Sequence, residues 1–275
     1  VTHLFLSPHY DDAAFSCGGT IYQLAQHGET VRILTVMGGD LPDPLPDTPI
    51  VRDLHQRWDA GHDPIATRRQ EEQCAAKQLT ANSSFLQIPD CVYRTDRYGN
   101  PCYPTEESLW YTIQANDPAV EILQKLGAGL PPVALPYDLQ GSLPTAPTQK
   151  NEITLYIPLG VGDHVDHLIV RDWGITLAEH NPMWRISFYP EYPYTRDTAA
   201  IAKALSQCKL ALEESVSIFN DVAMTAKINS MACYTSQIST FWQDEQSMVA
   251  EVRRQFANEQ NTFTEILFEM LAHPE

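Results

Sequence analysis

The chain has no Cys-x-x-Cys pair, no bilayer-length apolar run, no Gly-x-Gly-x-x-Gly after its first apolar segment, and few basic residues. Each absence removes a class of protein. Without paired cysteines, zinc-ribbon and thioredoxin readings fail. The six that exist (Cys17, Cys74, Cys91, Cys102, Cys208 and Cys233) are scattered, as buried small hydrophobes of a reducing compartment are. A Cys91–Cys102 bridge across a loop is not expected. Without about 18 consecutive apolar residues there is no transmembrane helix. Without the glycine fingerprint a nicotinamide cofactor is rejected, and Gly38-Gly39 after the second strand does not replace it. Only 18 Lys and Arg stand against 35 Asp and Glu, and a net charge of -17 repels nucleic acid and anionic membranes. The same charge also serves plain solubility. The numbering opens directly into a strand with no basic and apolar leader, so no secretory signal is expected and the location is expected to be cytoplasmic.

What is present reads as α/β. The 275 residues are 43% hydrophobic and 19% charged, which is globular rather than disordered. Leu4-Phe5-Leu6 forms a short buried strand. A helix is expected from Thr20 to Gln26, opened by Gly18-Gly19 and stopped by Gly28. Val31–Val36, β-branched and apolar, is a second strand. Strand, helix and strand in so short a span make a βαβ unit with parallel strands. Residues 40–63 read as a loop region, Thr67–Leu79 as a charged helix, and Phe85–Ile88 as a third strand ended by Pro89. Further strands are expected at 153–157 and 186–189, and helices over much of 167–180, 198–212 and 222–258. Residues 92–150 resist this pattern: they are rich in Pro, Tyr and Gly, with one helix near Asp117–Leu126. With no repeat and no linker-like shift in composition, the expectation is one domain, 1–275, carrying an irregular insertion at about 92–150.

Two motifs carry the chemistry. Ser7-Pro8-His9-Tyr10-Asp11-Asp12 follows the first strand, and His164-Val165-Asp166-His167 follows the strand near 153–157. Ligands of open α/β sheets bind beyond the carboxyl ends of the strands, so both motifs belong to one edge and can meet there. Two histidines and a carboxylate that leave room for water describe a catalytic zinc site, and ferrous iron suits the same donors. His9, Asp12 and His167 would supply them. Asp11 would then point past the metal toward the water, and His164, one helical turn from His167, would face the same cavity. The bland alternative is that Asp11, Asp12 and Asp166 only cap helices. Of nine histidines, His3, His27, His55, His62, His180 and His273 have no such context and are taken as structural.

Pro8-His9-x-Asp11-Asp12 with Cys17-Gly18-Gly19, and then His164-x-Asp166-His167, resemble the signatures of the PIG-L (LmbE-like) metal-dependent deacetylases. Arg68-x-x-Glu71, Ile88-Pro89-Asp90, Lys227 and Tyr234-x-Ser236-Gln237 extend the resemblance in order along nearly the whole chain. Many members carry Pro where this chain has Tyr10 and Glu where it has Ala13, which marks a subgroup with its own substrate. The resemblance implies a Rossmann-like, mostly parallel sheet flanked by helices, and hydrolysis of an N-acyl group from an amino sugar such as an N-acetylglucosaminyl conjugate. It implies His9, Asp12 and His167 as zinc ligands and Asp11 as general base. His164 would stabilise the oxyanion or act as acid, protonated, with Asp166 setting its charge and orientation. Arg68, Asp90 and Tyr10 are the candidate substrate contacts. Arg68 has an exposed i, i+3 pair with Glu71 as its alternative, and Asp90 a turn role after Pro89. The aromatics Tyr93, Tyr98, Tyr103, Trp110 and Tyr111 either stack on a ligand ring or pack the insertion itself, and one of Tyr189, Tyr192 and Tyr194 is expected to reach the cavity. The expected partner is a small amino-sugar conjugate, with no nucleic acid and no membrane; a homo-oligomer is compatible with the chain. Competing functions are a metal-dependent amidase on a non-sugar substrate, a phosphoesterase, and a non-catalytic sugar binder. Too few basic residues in the motifs disfavour the phosphoesterase, and retention of Asp11 disfavours the binder.

Overall fold

In a computed structural model, residues 1–59, 61, 63–127 and 153–271 are described. His62, His273 and the 128–150 part of the insertion lie outside the described residues. Strands Thr2–Ser7 (β1), Thr30–Thr35 (β2), Asn82–Phe85 (β3), Ile153–Pro158 (β4), Arg185–Tyr189 (β5), Leu212–Phe219 (β6) and Phe263–Met270 (β7) form one sheet in the order β3-β2-β1-β4-β5-β7-β6. The first five are parallel, and β7 and β6 add an antiparallel margin. Helices are Asp12–Gln26 (α1), Pro49–Trp58 (α2), Pro64–Gln78 (α3), Pro118–Leu126 (α4), Val165–His180 (α5), Thr198–Cys208 (α6), Asp221–Ala232 (α7), Thr235–Phe241 (α8) and Glu245–Phe256 (α9).

β1 is apolar on both faces because it is covered on both. Phe5 joins the core layer that includes Phe15, Ile33 and Tyr156, and Leu4 and Leu6 join the opposite layer with Leu34, Leu155 and Ile157. The chain leaves β1 toward β2 on one side, while β4 lies on the other. The gap between the carboxyl ends of β1 and β4 is therefore the topological switch point, where such sheets bind ligands.

Several boundaries differ from the sequence reading. α1 starts at Asp12, eight residues before Thr20, and runs through Gly18-Gly19. Those glycines are packing sites: a β-carbon at Gly18 would fall 2.9 Å from Lys227 Cγ, and one at Gly19 would enter the Phe219 ring. α2 lies inside the expected 40–63 loop, started by Thr48, whose hydroxyl accepts from Val51 N at 3.3 Å. β3 sits three residues earlier than expected. β6 and β7 were not expected at all, and the helical stretch 222–258 is made of three helices, α7, α8 and α9.

Behind the sheet edge, buried charges fasten the helices. Lys227 Nζ, fully buried, donates to Glu265 Oε1 at 2.7 Å and to Phe15 O at 2.6 Å. Glu265 also accepts the Gly19 and Thr20 amides of α1. Glu71 accepts from Ser236 N and Oγ, and the Tyr234 hydroxyl lies in hydrogen-bonding contact with both Glu72 Oε2 and Tyr10 O. The Lys227 and Tyr234–Gln237 matches are thus braces of α1 and α3. Cys74 of α3 and Cys233, just past α7, form a disulfide, which corrects the reading of all six cysteines as lone thiols; Cys17, Cys91, Cys102 and Cys208 are buried thiols.

Candidate metal centre and active site

The turn after β1 is folded by its own side chains. Ser7 Oγ donates to His9 O at 2.6 Å and accepts from Ala13 N at 3.0 Å. Asp11 stands at the N-cap of α1, but its carboxylate makes no capping bond, so the capping alternative fails for it. Asp12 Oδ2 accepts the His9 amide at 2.8 Å. At α5 the N-cap is His164, whose Nδ1 accepts from Asp166 N at 3.3 Å. Asp166 is not the cap either.

These two turns meet. Asp12 Oδ2 lies 3.4 Å from His9 Nδ1 and 3.4 Å from His167 Nε2. Donors held about 2.0–2.2 Å from a tetrahedral ion stand about 3.4 Å apart. His167 Nε2 is buried with no hydrogen-bond partner among the described residues. Nitrogens of His9, His164 and His167 all lie within 4.8 Å of one another. The donor set therefore fits a divalent metal ion, with His164 on the rim of the same cavity.

The far side of each imidazole is held by its own carboxylate. His9 Nε2 meets Asp166 Oδ2 at 2.9 Å, and His167 Nδ1 meets Glu191 Oε1 at 3.0 Å. Such partners fix the tautomer and aim the other nitrogen. This corrects the expectation that the Asp166 carboxylate orients His164: it faces His9, and only its backbone amide touches the His164 ring. Glu191 escaped sequence reading altogether. Fully buried, it also accepts from Gly160 N at 2.8 Å and Val161 N at 3.0 Å. Its signal was its place, two residues past β5 at the same sheet edge, where only the tyrosines drew notice.

Arg68 is buried, and its NH2 donates to Asp11 Oδ1 at 2.9 Å, while NH1 lies 3.8 Å from Asp90 Oδ2. The exposed pair with Glu71 is absent, because Glu71 is taken by Ser236. Asp90 is also at the site, 3.6 Å from His9 Nε2, and it caps the short turn after β3. Tyr10 corrects the expectation of a substrate contact. Only 2% exposed, it turns away from the metal position; its hydroxyl donates to Gly38 O at 2.7 Å and accepts from Arg69 Nε at 2.9 Å. Of the aromatics, Tyr93 and Tyr103 are core. Half-buried Trp110 and Tyr194 reach the site, with ring centroids 5.2 Å from His164 and 5.6 Å from His167 and 6.0 Å from each other.

The charges are strongly interdependent. Burial alone would raise Asp12, but His167 and His9 hold its carboxyl well below the usual range. Burial likewise opposes ionised Asp166, yet Arg94 and His9 hold it far down. Burial raises Asp11, with Arg68 opposing the rise. His164 is pushed well down, first by burial and then by His9 and His167, so a protonated His164 does not fit this setting.

A profile of the family described as PIG-L, GlcNAc-PI de-N-acetylase, matches residues 4–178. The chain is 29% identical over 202 residues to the 2'-N-acetylparomamine deacetylase of Niallia circulans, covering 70% of this chain and 66% of that protein, about two thirds of its length. Among solved structures it is similar to the zinc-inhibited form of teicoplanin deacetylase Orf2, with TM-score 0.73, 18% identity and 100% of both chains covered. The A40926 pseudoaglycone deacetylase Dbv21 gives TM-score 0.66 at 20% identity, covering 99% of this chain and 98% of that one. The N,N'-diacetylchitobiose deacetylase of Pyrococcus horikoshii gives 0.53 at 16%, covering 98% and 84%.

Proposed function

The chain belongs to the PIG-L family, and on that premise we propose that it is a metal-dependent hydrolase removing an N-acyl group, acetyl first, from an amino sugar within a larger conjugate. The observation that carries this is Asp12 Oδ2 standing 3.4 Å from both His9 Nδ1 and His167 Nε2, with the opposite imidazole nitrogens already held by Asp166 and Glu191. The relatives named for deacetylation of 2'-N-acetylparomamine, of teicoplanin and of N,N'-diacetylchitobiose support the substrate class.

His9, Asp12 and His167 hold the ion, which we take to be zinc; ferrous iron suits the same donors. When bound, the ion supplies Lewis acidity at the amide carbonyl and lowers the pKa of water. The remaining chemistry falls to the chain. Arg68 fixes Asp11 through Oδ1, which leaves Oδ2 to take the proton of the attacking water. Burial makes Asp11 a stronger base than an exposed carboxylate. His164 acts neutral: its Nδ1 accepts from Asp166 N, so Nε2 carries the proton and donates to the oxygen that gains charge in the tetrahedral intermediate. Asp11 then returns its proton to the leaving amine. Trp110 and Tyr194 form an aromatic wall beside His164 and His167, suited to a sugar face. A phosphoesterase is disfavoured because Arg68 and Arg94, buried beside the site, are already paired with carboxylates.

No described helix is long and apolar enough to cross a membrane. The Cys74–Cys233 bridge suits an oxidising compartment better than the cytoplasm expected from scattered cysteines. We read the chain as one deacetylase domain, with the described part of its insertion, 92–127, beside the site.

The test is release of free amine from N-acetylglucosaminides of several aglycones by metal-loaded protein. Chelation is expected to abolish release, and zinc or anaerobic ferrous ion to restore it. Phosphate release from phosphoesters, or sugar binding without any amine release, would overturn the proposal.

A further inference from the structure

Arg94, within the insertion, reaches the metal position through Asp166. It lies just past the short turn Cys91–Tyr93 and is almost fully buried. One terminal nitrogen, NH2, serves two carboxylates, Asp166 Oδ1 at 2.6 Å and Asp117 Oδ2 at 2.8 Å, while NH1 donates to Pro89 O at 3.0 Å. Asp117 is fixed in turn: its Oδ1 caps α4 by accepting Ala119 N at 2.9 Å, and its Oδ2 accepts the Tyr103 hydroxyl at 2.8 Å. The Tyr103 ring lies 5.5 Å from the Arg94 guanidinium. On the other side, both oxygens of Asp166 are used. Oδ1 takes Arg94, and Oδ2 takes the Cys91 amide at 3.0 Å and His9 Nε2 at 2.9 Å. The result is a buried line Tyr103, Asp117, Arg94, Asp166, His9, ending at the imidazole whose Nδ1 faces Asp12.

Resting on the metal reading above, we propose that Arg94 is a positioning residue for His9. It holds the Asp166 carboxylate in one rotamer, so that Asp166 accepts a hydrogen bond from His9 Nε2–H and His9 presents an unprotonated Nδ1 to the ion. Asp117 and Tyr103, both within the insertion, hold Arg94 in that pose. The insertion thereby contributes to metal affinity without supplying a ligand. A Lys at this position keeps the charge but loses the second terminal nitrogen that anchors the group on Pro89 O and the planar geometry that aims NH2, so it would restore only part of the effect.

Metal affinity of the whole chain, measured by competition with a chromophoric chelator, tests this, together with the visible spectrum of the cobalt-substituted protein. Arg94→Met and Asp166→Asn are each expected to weaken binding by about 10–100-fold, the usual effect of losing the partner of a metal-bound histidine. Because Arg94 acts through Asp166, the double variant is expected to bind no more weakly than Asp166→Asn alone. Arg94→Lys should fall between wild type and Arg94→Met, and the cobalt spectrum should shift in the variants. A merely structural Arg94 would lower thermal stability and leave affinity and spectrum of the folded protein unchanged. If Arg94→Met does not fold, Arg94→Lys and Asp117→Asn decide, each expected to weaken binding several-fold; unchanged affinity in both overturns the proposal. Wild-type affinity in folded Arg94→Met overturns it alone, whereas a wild-type chain that binds no metal overturns the metal reading with it.

Discussion

Glu191→Gln separates a metal centre from a mere cluster of buried histidines. The native carboxylate accepts from two backbone amides, Gly160 and Val161, and from His167 Nδ1 at 3.0 Å. A glutamine keeps one acceptor oxygen. If that oxygen stays on the amides, its NH2 meets the Nδ1 proton of His167, donor against donor. Relief requires His167 to move its proton to Nε2, the nitrogen that faces Asp12, and a protonated Nε2 does not bind metal. Loss of such a partner costs about 10–100-fold in metal affinity, or about 1.4–2.7 kcal/mol, and the tautomer conflict places Glu191→Gln toward the upper end. Glu191→Ala adds a folding penalty, because two buried amides lose their acceptor at about 1–3 kcal/mol each. The assay is chelator competition for affinity with thermal unfolding in the metal-free state. Glu191→Gln is expected to lose affinity with a small change in unfolding temperature, and Glu191→Ala to lose both. Wild-type affinity in Glu191→Gln would refute the reasoning.

Tyr10→Phe tests whether the departure from the family pattern concerns substrate. Two hydrogen bonds are lost, the one donated to Gly38 O and the one accepted from Arg69 Nε, although Gly38 O keeps Arg69 NH2 at 2.7 Å; each is worth about 0.5–1.5 kcal/mol in chemical denaturation, with KM unchanged, and a several-fold rise in KM at wild-type stability would contradict the buried role. Glu72 is pushed up to about 8 by burial, with Tyr234 opposing and Asp11 adding to the rise. The folded state therefore binds a proton more tightly than the unfolded chain, and stability falls as pH rises from the ordinary carboxylate range through about 8. Glu72→Gln should flatten that decline in denaturation series at pH 5 to 9 (roughly the window the linkage spans); an unaltered slope would exclude Glu72 as its source.

How much of this was legible in the sequence depended on range. β1, β2, β4 and β5 are short apolar runs whose burial on both faces leaves an unmistakable pattern, and the two motifs at their carboxyl ends follow from the parallel topology. The misses have physical reasons. Gly18-Gly19 read as a helix start because a glycine pair is a local signal, whereas its cause is Lys227 and Phe219 packing from 200 or more residues away. β6 carries Glu213-Glu214 on exposed positions, so its alternation was masked by charge. The motif histidines and acids were visible, but their partners were not: Asp166 turns to His9 rather than His164 because Arg94, from a region read as irregular, pulls on its other oxygen. Glu191 and Arg94 carry no motif, and only the fold brings them to the site. Tyr10 follows His9 in the chain yet faces Gly38, since a tight turn sends neighbouring side chains to opposite sides.

The division of labour between Asp11 and Asp12 is tested most directly by measuring bound metal and amine release on the same preparations of wild type, Asp11→Asn and Asp12→Ala. Near-stoichiometric metal in wild type and Asp11→Asn, with amine release lost in Asp11→Asn, and loss of both metal and release in Asp12→Ala, is the expected result. Full metal content in Asp12→Ala, or near wild-type turnover in Asp11→Asn, would contradict it.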